Sequence, residues 1–150
     1  MSISYQAIRN ESGNLFYSPH SISLALAMAY AGARNNTERQ MAKTLRYTLP
    51  QAQLHPAFNA LDLRLTTQQQ GKDTFSLHSA NALWGQVGFP FQQPFLDTIA
   101  ANYGAGLRLL DFVNEGNREQ GRLTINQWVS DQTAGKIQDV LAKEILTGYT

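Results

Sequence analysis

Cysteine is absent from the 150-residue chain, which removes disulfide cross-links, a thiol nucleophile and thiolate metal ligation together. That absence fixes no compartment, because many secreted domains also lack disulfides. Histidine is scarce, and His20, His55 and His78 are too scattered to supply the ligand spacing of a metal site. There is no Gly-x-Ser-x-Gly elbow, no His-Glu-x-x-His and no Gly-x-x-x-x-Gly-Lys-Ser/Thr loop, and the pair Gly104 and Gly106 lacks the third glycine of a dinucleotide turn. No catalytic, cofactor-binding or metal-ligating residue is therefore expected, and an enzyme is disfavoured.

Long apolar runs are missing as well. The longest, Ile22 to Ala33, spans about twelve residues and is interrupted by Ser23, Tyr30 and Gly32, well short of the roughly 20 needed to cross a bilayer. No membrane partner is expected. Met1 to Tyr5 holds no basic stretch leading into an apolar run, so no signal peptide is read there, and the chain is either cytosolic or without its natural N-terminus. With 12 Lys and Arg against 11 Asp and Glu, the net charge is +1. That leaves no basic surface for nucleic acid.

The remainder is a folding composition: 43% hydrophobic, 10% aromatic and only 15% charged, in a length that suits one domain. Ser4 to Glu11 has the spacing of a short helix, stopped by Gly13 and Asn14, and Asn14 to Tyr17 has the look of a strand. Ser18 and Pro19 then specify a helix start, a side-chain cap followed by a residue whose missing N–H costs nothing in the first turn. From His20 to Ala33 the helix is apolar on nearly every face, so it needs cover on all sides. Asn36 is expected to cap an amphipathic helix running to Leu45, with Met41, Ala42 and Leu45 inward. Pro56 to Leu65 is read as helix and Thr66 to Asp73 as a polar loop.

Phe75 to Trp84 alternates without a strongly charged face and is predicted as a strand covered on both sides. Gln92 to Tyr103 predicts a helix on Phe95, Leu96, Ile99 and Ala100, and Leu107 to Val113 a second strand. Asn117 with Gln120 has capping-box spacing for a helix burying Ile125, Trp128 and Val129. Asp139 to Thr150 carries a weak helical pattern. The sum is an α+β chain without internal repeat or interdomain linker.

Each chemical candidate has a plainer explanation. His20 and Ser21 are adjacent at a helix start and so point apart, unlike a base and its nucleophile. His78 has no second ligand at suitable spacing. The triplets at Asn10 and Asn35 fit the glycosylation pattern, which matters only in a secretory setting. Trp84 and Trp128 fall on buried periodicities and are expected as structural core anchors.

The series Asn14 to Ser23, continuing through Leu26 to Ala33, Asn36 to Glu38 and Gln40 to Leu45, resembles the N-terminal signature of the serpin family. Ser79 to Trp84, Leu110 to Phe112, Ile125 to Val129 and Thr133 to Ile137 resemble later segments of that family, in order and at fitting spacing.

The resemblance implies a serpin-like, multi-helix α+β fold with strands of a large sheet, incomplete relative to the family. Residues 1–150 would be an N-terminal portion. Asn14 to Ser18 would be a strand of the second sheet and Ser18 to Gly32 the central helix. Asp73 to Trp84 and Leu107 to Val113 would be neighbours in the large sheet, and Asn117 to Gln132 the helix across it. It implies inhibition of a serine protease, sometimes a cysteine protease, by cleavage of a reactive loop that then inserts into the sheet. Asn14, Ser18 and Ser21 match positions where that sheet opens, the shutter. The reactive-site bond is not present in this chain, nor is the hinge, so the target protease has no contact loop here and the chain is expected not to inhibit alone. Only Arg64 and Lys72 stand near the helix that is basic in heparin-activated members, so no such cofactor is expected. The family leaves extracellular and cytoplasmic locations both open. An alternative of another class is a non-inhibitory binding or structural module. Truncation would also leave the edge of Phe75 to Trp84 unpaired, and self-association through it is expected.

Overall fold

The computed structural model describes residues 17–67, 78–104 and 106–147. The elements run α1 (Pro19–Gly32), α2 (Asn35–Leu45), α3 (Gln51–Thr67), β1 (Leu83–Gln86), α4 (Gln93–Asn102), β2 (Leu107–Leu110) and α5 (Glu115–Gln132). Ser4 to Glu11 and Asn14 to Phe16 lie outside the described residues, as do Phe75 to Leu77 of the expected strand.

The start of α1 follows from two residues. Ser18 is extended and its Oγ accepts from the Ser21 N–H at 3.2 Å, while Pro19 sits in the first turn. Leu24, Ala27, Met28, Tyr30 and Ala31 are buried. Ile22 and Leu26 are each 38% exposed, and with the exposed Ala25 and Ala29 they form one stripe at helical spacing. The all-round cover that the sequence requires of this helix is thus incomplete among the described residues.

The cap of α2 differs from expectation. Arg34, extended and without a side-chain cap bond, stands at its N-terminus instead of Asn36. The Arg34 guanidinium turns back and donates to the carbonyls of Ala31 and Ala33 at 2.8 and 2.7 Å, closing α1. At the other end Arg46 is left-handed at φ 57°, and the Tyr47 N–H reaches Ala42 O at 2.9 Å. Helix α3 begins five residues earlier than the sequence pattern indicated and carries Pro56 within it. Gln51 fastens that start by donating to Tyr30 O and Ala33 O, each at 3.0 Å.

β1 and β2 pair in parallel, with Leu83 opposite Leu107 and Gln86 opposite Leu110. Parallel neighbours require a crossover, and α4 supplies it. Among residues 78–86 the first strand covers only Leu83–Gln86, and it runs past the expected end at Trp84 because Gly85 continues it. Gly85 is buried, and the space a side chain would need is filled by the Phe91 ring. On one sheet face Leu83 packs with Phe95 and Tyr103 around buried Met28, Ala31 and Ile99. A second cluster, Tyr30, Ala33 and Leu54, gathers Met41, Ala42, Tyr47 and Phe58.

Helix α5 is capped by Asn114, not Asn117: Asn114 Oδ1 accepts from Gly116 N at 3.0 Å. Asn117 is occupied elsewhere, donating to Asp111 Oδ2 at 2.9 Å. Residues 133–147 form turns, not a helix. Asp139 and Glu144 have positive φ, and Asn126 pins the segment by donating to Leu141 O at 3.0 Å and accepting from Leu141 N at 2.9 Å. No helix among the described residues is long and apolar enough to cross a membrane.

Candidate functional site

The residues singled out from the sequence gather around the start of α1 and the sheet. Ser18 is the exposed cap of α1 and Ser21 lies half-buried one turn on, joined to it by the capping bond. Ser23 Oγ donates to Pro19 O at 2.8 Å, closing the same first turn. Asn14, the third of the group, lies outside the described residues.

Next to this turn a cleft of about 510 Å³ is lined by His20, Asp62, Ser79, Asn81, Tyr103 and Trp128, among others. His20 Nε2 lies 3.7 Å from Asp62 Oδ1, too long for a hydrogen bond, and Ser21 does not line the cleft. His20 and Ser21 therefore form no base and nucleophile pair. His78 is exposed. No group of three or more His, Asp or Glu side chains that could hold a metal ion occurs among the described residues.

Trp84 and Trp128 meet each other edge-on, ring centroids 5.9 Å apart and planes at 80°. Both are half-buried, and they pack outside the two buried clusters. Two further clusters were not marked in the sequence. His55, 3% exposed on α3, is held by Tyr103 at the end of α4, and burial lowers its pKa, with a smaller push from Arg34. Asp111, just beyond β2, accepts from Gln86 Nε2 at 3.1 Å, from Val113 N and Asn114 N at 3.2 Å each, and from Asn117. Those bonds, Asn117's above all, hold its carboxyl down to about 2. The clue in the sequence was an acidic residue three positions before the capping Asn114.

Chemically, the assembly offers hydrogen bonds and packing around a two-stranded sheet and the helix above it. Comparison with known proteins gives this geometry a setting. The family model described as serpin (serine protease inhibitor) matches residues 3–149. A leukocyte elastase inhibitor of Xenopus tropicalis is 38% identical over 141 residues, covering 94% of this chain and 36% of that protein. Antithrombin-III of Ovis aries is 39% identical over 146 residues, covering 95% and 30% respectively. The crystal structure of uncleaved ovalbumin superposes with a TM-score of 0.82 at 28% identity, over 98% of this chain and 38% of that one. The chain thus spans about a third of the length of the relatives it matches.

Proposed function

The chain belongs to the serpin family, and on that premise we propose that it furnishes the N-terminal framework of a serine protease inhibitor and does not inhibit by itself. One observation carries the reading: the match to an elastase inhibitor runs through 94% of this chain yet reaches only 36% of that inhibitor. The framework consists of the central helix α1, the parallel pair β1 and β2, and α5 above them. Ser18 and Ser21 would act at the point where the sheet parts, their small side chains bonding to backbone as helix and sheet repack. Asn14 joins that assignment by sequence match alone. The contact loop for the protease would come from sequence outside these 150 residues.

The exposed stripe Ile22, Ala25, Leu26 and Ala29 supports the same reading, since an apolar helix face left in water opposes folding. The test is incubation of the chain with pancreatic and leukocyte elastases, followed by denaturing electrophoresis. Undiminished protease activity and no denaturant-resistant complex are expected, and a stable covalent complex would overturn the proposal. A non-inhibitory module is the second reading, favoured by the two buried clusters that this segment closes by itself. A monomeric chain that unfolds cooperatively would support it.

A further inference from the structure

Asn35 opens the triplet Asn35-Asn36-Thr37, which has the acceptor pattern for an N-linked glycan. The fold gives that triplet a setting that the pattern alone does not. Asn35, Asn36 and Thr37 are all exposed, and α2, which begins at Asn35, contains no fully buried residue. Asn35 has a left-handed φ of 55°, a conformation that asparagine tolerates better than most residues. The turn between α1 and α2 is fastened by the Arg34 guanidinium on the α1 carbonyls, and the Asn35 side chain takes no part in it.

Every other asparagine among the described residues has its side chain committed to a hydrogen bond. Asn36 accepts from Arg39 at 3.3 Å, Asn102 donates to Thr98 O at 2.9 Å, and Asn126 holds Leu141. A substituent on those amides would crowd an existing bond, whereas one on Asn35 Nδ2 displaces nothing. Beside Asn35 lies an open cleft of about 720 Å³, lined by Tyr30, Glu38, Arg39, Leu49 and Pro50, among others. Leu49 is 40% exposed. With Pro50 it offers an apolar wall to the face of a sugar ring, while Glu38 and Arg39 offer polar partners to its hydroxyls.

We propose that Asn35 is an acceptor for an N-linked glycan whose first N-acetylglucosamine rests in this cleft against Leu49 and Pro50. The co-substrate is an oligosaccharide linked to a lipid diphosphate. Asn35 Nδ2 bonds to the anomeric carbon of the sugar, and the bond from that carbon to the diphosphate oxygen breaks. The electron pair leaves on the lipid diphosphate, and Nδ2 gives up one proton to a base of the transferase. Once attached, the bulky hydrophilic glycan shields the turn between α1 and α2. The site is separate from the start of α1 and from the sheet, and it holds whether or not the chain inhibits a protease.

The test is translation of the 150-residue chain behind a cleavable signal sequence in the presence of microsomes. Resistance to added protease identifies the translocated chains. Asn10→Gln is made throughout, which leaves Asn35 to Thr37 as the only acceptor triplet. Translocated chains are expected to show a mobility shift that peptide N-glycosidase reverses, converting Asn35 to aspartate. Asn35→Gln and Thr37→Ala should each lose the shift, and Asn36→Gln should keep it. Translocated chains without a shift, or a shift that survives Asn35→Gln, would overturn the proposal. The cleft is tested separately, on chains whose glycan has been trimmed to the single N-acetylglucosamine. These should melt at a higher temperature than the unglycosylated chain, and an equal or lower temperature would overturn the placement against Leu49 and Pro50.

Discussion

His55 Nδ1 and the Tyr103 hydroxyl lie 2.6 Å apart, joining α3 to the end of α4 inside an aromatic cluster. Tyr30 stacks at a tilt on the His55 ring from α1, and Tyr103 meets it edge-on. The other ring nitrogen, Nε2, is buried with no hydrogen-bond partner among the described residues. A protonated imidazole would therefore bury a charged donor with nothing to accept from it.

A pH dependence follows from that geometry. The His55 pKa is lowered in the folded chain, so the unfolded chain binds the proton more readily. Stability is fully present above the unfolded value of about 6.5 and is lost as pH falls from there toward the folded value. Thermal melts should show a drop in Tm between about pH 7.5 and 5. His55→Gln, which can still bond to Tyr103 but does not titrate, should flatten that drop. An equal slope in the variant would remove His55 as its source.

Asp111 acts further into the acid range. Its depressed carboxyl contributes stability above the unfolded pKa near 3.8, and the contribution is lost as pH falls through about 2. Asp111→Asn should lower Tm at neutral pH and leave it nearly unchanged at the acid end. Melts of both proteins along a pH series check this.

Gly85 has no room for a side chain. An added Cβ would lie 2.5 Å from Phe91 Cζ and 3.3 Å from Leu107 Cδ1. Gly85→Ala should cost about 1–3 kcal/mol, the usual range for overpacking, unless the Phe91 ring swings outward. Urea denaturation measures the cost. Wild-type stability in the variant would mean that the ring moves freely.

Ile99 is fully buried between α1 and the sheet. Ile99→Ala should cost about 2–5 kcal/mol, read by the same denaturation. A much smaller loss would mean that the Met28 and Ala31 cluster is not the centre of the fold.

The Ser18 and Pro19 start of α1 could be read directly because capping and proline placement are local. The family could be read from ordered segments spread along the chain. The caps of α2 and α5 could not, since Arg34, Asn36, Asn114 and Asn117 each have the chemistry for several bonds. Their choice depends on tertiary partners: α1 carbonyls take Arg34, and Asp111 takes Asn117. The extent of β1 was hidden for a similar reason, because Gly85 belongs to the strand only once Phe91 has packed over it. Nor does any spacing reveal Arg108 against two tryptophans. The strand register sets Arg108 beside Trp84 on β1, and the packing of α5 brings Trp128 against the same guanidinium.

The central claim, that these residues are the framework portion of a longer inhibitor, is tested most directly by the intact mass of the natural protein. It can be traced by a peptide containing Ser79 to Trp84. A mass well above the 16.7 kDa of this chain is predicted. A natural product of 16.7 kDa would contradict the claim and leave the non-inhibitory module standing.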